Sequence, residues 1–163
     1  MKGVQLSKMV QELNLHNKTP DVDISKKRIT LPDINRPALQ LTGYLEHFEN
    51  ERVQIIGYVE YTYLLHLSRE NKMEAFERFV ASKIPCVIFS TKTEPDEDMI
   101  NLAIKYDVPI FVTDQTTSTF MAAFMLVSAT ALPAIATETK PDIDRINTVA
   151  YVDEMLKAVE GYE

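Results

Sequence analysis

The sequence predicts an α/β fold: three layers, with a short, mainly parallel sheet flanked by helices. Three observations predict it. Short apolar runs recur at 53–56, 86–89 and 108–112. The stretches between them carry apolar residues at helical spacing. Gly57, Pro85 and Pro109 punctuate the boundaries. Strand and helix thus alternate over residues 53–132, a pattern that calls for parallel strands joined by right-handed crossovers.

Each element follows from its own residues. Leu6, Met9, Val10, Leu13 and Leu15 approximate one helical stripe. His16-Asn17-Lys18-Thr19-Pro20 ends that helix, because the residue before proline avoids the helical region. Residues 21–36 are polar and proline-punctuated, with room for a brief strand at 29–31. Pro37 suits the first turn of a short helix carrying Leu39 and Leu41, and Gly43 suits its end. Val53, Gln54, Ile55 and Ile56 read as a buried strand closed by Gly57. Residues 59–67 then place Tyr61, Leu64, Leu65 and Leu67 at helical spacing. Ser68 is an N-cap for the next helix, whose stripe is Met73, Phe76, Phe79 and Val80. The second strand, 86–89, follows Pro85. Glu94, Asp96, Glu97 and Asp98 crowd the start of a third helix of this region, where the helix dipole favours negative charge. The strand at 108–112 and a long helix over 116–132 complete the α/β domain, set at 1–132. Residues 133–149 hold two prolines and few large apolar groups and read as a linker. Residues 150–160 read as a last helix closed by Gly161, so 150–163 form a C-terminal tail.

Composition narrows the function. The 163 residues are 45% hydrophobic and 25% charged, enough to bury a core without metal or disulfide staples. One cysteine excludes an internal disulfide and a four-cysteine zinc site. A net charge of -7 argues against nucleic-acid binding. Residues 1–15 lack the apolar run of an export signal. The most apolar segment, 120–132, is too short to span a bilayer. A cytoplasmic protein with no membrane contact is expected. Only four glycines occur, at Gly3, Gly43, Gly57 and Gly161, so neither a P-loop nor a G-x-G-x-x-G fingerprint is present.

Three linked stretches resemble one family. Asp33-Ile34-Asn35-Arg36-Pro37-Ala38-Leu39-Gln40-Leu41-Thr42-Gly43-Tyr44 is similar to D-I-S-R-P-G-L-E-L-x-G-Y, from the N-terminal domain of the bacterial HPr serine kinase/phosphorylase family. Ala38 replaces the family's glycine. Glu51-Arg52-Val53-Gln54-Ile55-Ile56-Gly57, with Glu60 after it, resembles E-R-I-Q-L-L-G-x-x-E. Ile84-Pro85-Cys86-Val87-Ile88, then Tyr106-Asp107-Val108-Pro109, resembles T-P-C-I-I followed by Y-G-V-P. Thr117-Ser118-Thr119 matches the family's hydroxyl-rich helix start. The resemblance spans about 4–123. It implies an α/β module related in fold to the first domain of some Mur ligases. Full-length members phosphorylate a serine of HPr and reverse this by phosphorolysis, in carbon catabolite repression, as hexamers built chiefly through the catalytic domains.

Beyond residue 123 the resemblance stops. The family's G-x-x-x-x-G-K-[ST] loop has no counterpart, since Gly161 is the one glycine after Gly57. The expectation is a non-catalytic regulatory or scaffolding domain without catalytic residues or a cofactor of its own. Its partner would be another protein or a kinase domain in a longer chain, HPr being the partner in the parent family. The alternatives are a fragment of an active ATP-dependent HPr kinase/phosphorylase, with ATP, magnesium and HPr held elsewhere in the parent, and a small-anion or metabolite-sensing module.

Candidate residues follow from these motifs. Asp33, Arg36, Tyr44, Arg52 and Glu60 are candidates for contact. Arg36 and Arg52 could clamp an anion or partner, but pairing with Asp33 or Glu60 is the favoured reading. Asp114, Thr116, Thr117 and Ser118, at a helix start after a parallel strand, could hold a small anion; simple capping is the plainer account. His16, His47 and His66 are scattered, so no metal site is expected. Cys86 reads as a buried structural thiol. The stripe of Phe120, Met121, Phe124 and Met125 reads as core, with a homo-oligomer contact through 120–132 as the alternative.

Overall fold

The computed structural model describes residues 3–131, so the expected linker at 133–149 and helix at 150–163 lie outside the described residues. Seven strands and six helices follow in chain order. They are β1 (Val4–Gln5), α1 (Leu6–Glu12), β2 (His16–Asn17), β3 (Arg28–Ile29), β4 (Ile34–Asn35), α2 (Ala38–Leu41), β5 (Val53–Ile56), α3 (Tyr58–His66), α4 (Arg69–Val80), β6 (Val87–Phe89), α5 (Glu97–Lys105), β7 (Ile110–Val112) and α6 (Thr117–Ala131). The main sheet has the order β2-β7-β6-β5-β4. Its last four strands are parallel, in a register that aligns Ile55, Ile88 and Phe111 across the sheet.

Strands β4 to β7 are neighbours in chain order, so all their crossovers run the same way along the sheet. Helices α2 to α5 therefore share one face. Alternation along each strand divides the core accordingly. Ile56, Val87, Phe89, Ile110 and Val112 pack with Leu41, Leu64, Phe76, Phe79 and Met99 on that face. Val53, Ile55, Cys86, Ile88 and Phe111 pack with Leu6, Met9, Phe120 and Phe124 of α1 and α6 on the other. Phe120 and Phe124 are thus core residues, while Met125 is exposed.

Four differences from the sequence reading are local. Residues after α1 do more than end the helix. His16–Asn17 adds an antiparallel edge strand to β7, and Thr19 Oγ1 accepts a hydrogen bond from Ile110 N at 2.9 Å. The strand expected at 29–31 is Arg28–Ile29, and it pairs with β1 outside the main sheet. A parallel edge strand, β4, precedes Arg36. The strands expected at 86–89 and 108–112 start later, at Val87 and at Ile110, with Pro109 lying inside the second.

The helix starts are capped as their residues suggest. Ser68 Oγ accepts from Asn71 N at 3.1 Å, and Asp96 Oδ1 accepts from Met99 N at 2.9 Å. Ion pairs then join α4 to α5: Arg69 with Asp98 in two hydrogen bonds of 2.8 and 3.0 Å, Lys72 with Asp96, and Lys105 with Glu77 at 2.9 Å. The hydrogen bond from Arg69 holds the Asp98 carboxyl below its ordinary value. Lys105, and then the Tyr106 hydroxyl, do the same for Glu77.

A depressed carboxyl stabilises the fold above the unfolded-state value, and that contribution is lost as pH falls through the folded one. In a carboxyl-detected NMR titration, Asp98 and Glu77 should therefore titrate below the ordinary values for aspartate and glutamate. Arg69→Ala should move Asp98 back toward the ordinary range and leave Glu77 unchanged.

Candidate functional site

The carboxyl ends of the parallel strands bring together what the chain keeps apart. Arg36 directly follows β4, Gly57 follows β5, and Ser90 and Thr91 follow β6. Thr117 opens α6 after β7. This edge is where ligands sit in open parallel sheets.

Glu60 is the centre of the cluster. It occupies the first turn of α3, and its side chain is 2% exposed. A buried carboxylate requires donors and a counter-charge. Arg36 supplies both: its Nε donates to Oε1 at 2.8 Å and its Nη2 to Oε2 at 3.0 Å. Gly57 N donates to the same Oε2 at 3.1 Å, which satisfies an orphan amide of the α3 start. The Arg36 side chain remains 44% exposed, so the guanidinium is anchored on one side and open to water on the other.

Gly57 has ordinary backbone angles; its lack of a side chain answers a close approach instead. A Cβ there would lie 2.6 Å from Thr117 Oγ1, 3.2 Å from Arg36 Nη2 and 3.3 Å from Glu60 Oε2. Thr117 Oγ1 in turn lies 2.6 Å from Ser90 Oγ and 3.2 Å from Thr91 Oγ1. Thr91 and the exposed Lys92 both adopt left-handed backbone, at φ 58°, which is uncommon for a β-branched residue.

The sequence-selected residues fall into three places. Arg36 and Glu60 meet, 24 residues apart in the chain. Arg52 does not join them. It precedes β5, at the opposite edge of the sheet, and pairs with Glu49. Asp33 is exposed before β4 and is not the partner of Arg36. Tyr44 is exposed, its hydroxyl donating to Glu46 Oε2 at 3.3 Å. Of the residues at the α6 start, Thr117 turns into the cluster. Thr116 Oγ1 accepts from Thr119 N at 3.3 Å, a capping contact. Asp114 points to His16, with Oδ2 3.4 Å from Nε2. Ser118 is exposed.

Gly57, Ser90 and Thr91 were missed as site residues. Gly57 ended a motif and read only as a strand stop. Ser90 and Thr91 follow a strand whose neighbours the sequence alone does not specify.

Chemically the cluster offers a guanidinium and the positive starts of two helices. Its hydroxyls hydrogen-bond to one another, and its one carboxylate is fully engaged, so none of its nucleophiles has an adjacent free base. Cys86 lies elsewhere, fully buried just before β6, and burial pushes its thiol up to about 12. Among the described residues no group of three or more His, Cys, Asp or Glu is placed to hold a metal ion. No helix among them is long and apolar enough to cross a membrane.

The profile of the family described as HPr Serine kinase N terminus matches residues 4–127. The chain belongs to that family. It is 46% identical over 122 residues to an HPr kinase/phosphorylase of Lachnoclostridium phytofermentans, covering 75% of this chain and 40% of that protein. With the HPr kinase/phosphorylase of Caldicellulosiruptor bescii it shares 40% identity over 116 residues, 71% of this chain and 37% of that one. The chain thus spans about 40% of the length of these curated relatives, and the matched part is the family's N-terminal domain. Its fold is similar to a crystal structure of the CBS and DRTGG domains of the regulatory region of Clostridium perfringens pyrophosphatase, complexed with the activator diadenosine tetraphosphate. The TM-score is 0.52 at 14% identity, over 75% of this chain and 46% of that one. The motifs around Arg36, Gly57 and Glu60 all lie within the family match.

The crowding at Gly57 gives a direct test. Gly57→Ala should cost about 1–3 kcal/mol in urea denaturation, as overpacking does. Thr117→Ala removes the nearest atom, so the double variant should be more stable than the sum of the two single changes. Strict additivity would mean that Thr117 does not press on Gly57.

Proposed function

We propose that this domain is a non-catalytic regulatory or scaffolding module of HPr kinase/phosphorylase type, linked to carbon catabolite control in the bacterial cytoplasm. The observation that carries the reading is the confinement of the family match to the N-terminal domain. Two further observations support it. The 163-residue sequence contains no glycine-rich phosphate loop, with Gly161 the one glycine after Gly57, and backbone amides need such glycines to wrap a phosphate closely. The hydroxyls at the strand ends have no free base beside them. The similar fold in the pyrophosphatase belongs to a regulatory region, in keeping with a module that controls chemistry done elsewhere. No cofactor in this chain is needed by the reading. Its contacts would be with a protein partner or with a kinase domain.

The rival is a fragment of an active ATP-dependent HPr kinase/phosphorylase, with ATP, magnesium and HPr held elsewhere in the parent. Incubating the protein with all three and analysing HPr by mass spectrometry tests whether this chain itself carries kinase activity. The expected outcome is no phosphoserine above a control lacking the protein, and no ATP-dependent thermal shift. Phosphoserine on HPr would overturn the proposal.

A sensing role is favoured by one observation, the half-exposed Arg36 guanidinium beside the starts of α3 and α6. A small phosphorylated metabolite would then sit over Arg36 and the amides near Thr116, Thr117 and Ser118, with Asp114 at the rim. Titration with inorganic phosphate and a sugar phosphate should shift the Tyr58 and Ser118 amide resonances, and Arg36→Ala should abolish the shift. Unmoved resonances would remove the sensing role and leave protein contact.

A further inference from the structure

Helices α1, α4 and α5 expose charged residues: Lys8 and Glu12, Arg69 and Glu70, Glu97 and Lys105. Solvated helices do so. Helix α6 exposes none. Its outward residues are Ser118, Thr119, Ala122, Met125 and Leu126, while Phe120 and Phe124 pack into the core. The sequence without Asp, Glu, Lys or Arg runs from residue 115 to residue 137, past the end of the helix.

The outer residues of α3 are apolar as well, so an apolar surface alone does not choose an occupant. The chain that follows α6 does. Residues 132–163 continue directly from this helix, which lies on the opposite face of the sheet from α3. Within them, Val152, Met155, Leu156 and Val159 stand at i, i+3, i+4 and i+7. Asp153, Glu154, Lys157 and Glu160 fall on the other side of the same helical turn pattern. Isolated helices shorter than about 12–15 residues are marginal in water, so this stripe needs an apolar surface to fold against.

Lengths agree with a contact in the same chain. A helix over 150–160 measures about 16 Å. Helix α6, with 15 residues, measures about 22 Å. Fully extended, the connector 132–149 reaches about 60 Å, ample for a return along α6. A second copy is the poorer occupant. Stable interfaces between chains take about 800 Å² and roughly 20–30 residues from each partner, far more than the outward residues of α6 supply. A tethered segment needs less, because a short connector holds it at an effective concentration in the millimolar range.

We propose that residues 150–160 fold back as an amphipathic helix onto the outward face of α6. Val152, Met155, Leu156 and Val159 cover Ala122 and Met125, and the charged side of the segment turns to water. The chain thus carries its own cover for this face, in a segment beyond the family match at 4–127. The inference goes beyond the regulatory reading and does not depend on it.

The test uses the full chain, with a nitroxide attached through Asp153→Cys on the charged side of the segment. Cys86, the one native cysteine, is buried and stays unlabelled. The label should broaden the Ala122 and Met125 amide resonances much more strongly than those of Asn71 and Asn101, on α4 and α5 across the sheet. Dilution should not reduce the effect. Val152→Ser with Met155→Ser should abolish it and shift the Ala122 and Met125 amides, with those of Ile55 and Ile88 unmoved. Met125→Ser, an exposed change, should weaken it at Ala122. Mixing the labelled chain with an isotope-enriched, label-free chain should broaden nothing. Broadening in that mixture would make the occupant a second copy and overturn the proposal. So would broadening centred on Tyr58 and Leu65 of α3, equal broadening in the Val152/Met155 variant, or no broadening at α6.

Discussion

A carboxylate withdrawn from water has to find hydrogen bonds and a counter-charge, and Glu60 finds both at one edge of the sheet. Arg36 reaches it from the end of β4, and the Gly57 amide reaches it from the end of β5. The edge strand β4 is only two residues long and has little ladder of its own. The Arg36–Glu60 pair therefore does part of what a longer strand would do, fixing where β4 stops and where α2 begins. On the other side of Gly57, the space a Cβ would take is already closed by Thr117. Two crossovers and the start of α6 thus meet around one glycine, and the arrangement leaves the Arg36 guanidinium facing solvent.

The central fold was legible because its signals are local. Val53, Ile55 and Ile56 make a short apolar run broken by Gln54 alone, and all four residues are buried. Ser68 and Asp96 cap the helices they precede. The edge strands were not legible, and the reason is physical. His16–Asn17 and Ile34–Asn35 are two residues each, too short to display a period. What makes them strands is pairing with distant chain, such as the bond from Ile110 N to Thr19 Oγ1 across 91 residues. The site divides in the same way. Arg36 and Glu60 stand out by their motifs, and Glu60 is one of the two acids expected to pair with Arg36. Thr117 stands at a helix start where it could hold a small anion or cap the helix, yet its hydroxyl turns inward to Ser90 and Thr91. Helix-start chemistry is readable from sequence; the direction of a hydroxyl depends on which strand lies beside it.

Two surfaces of the domain have opposite characters. The strand ends are polar and mutually satisfied, with Thr91 and Lys92 held in left-handed backbone. Such strain persists only where the surroundings over-determine it, and here Thr91 N donates to Gln115 O while Thr91 Oγ1 contacts Thr117. The outer faces of α2 and α3 are apolar, exposing Leu39, Tyr58, Val59 and Leu65.

The central structural claim is that the Glu60 clasp is part of the core and not a surface ion pair. Native-state hydrogen exchange at the Gly57 amide tests it most directly. The account predicts that this amide exchanges only with global unfolding, at the same free energy as Ile55 and Ile88 in the central strands. In Glu60→Gln it should exchange through a cheaper local opening while those strand amides still report the global transition. Fast exchange of Gly57 in the unaltered protein, at the level of the exposed loops, would contradict it.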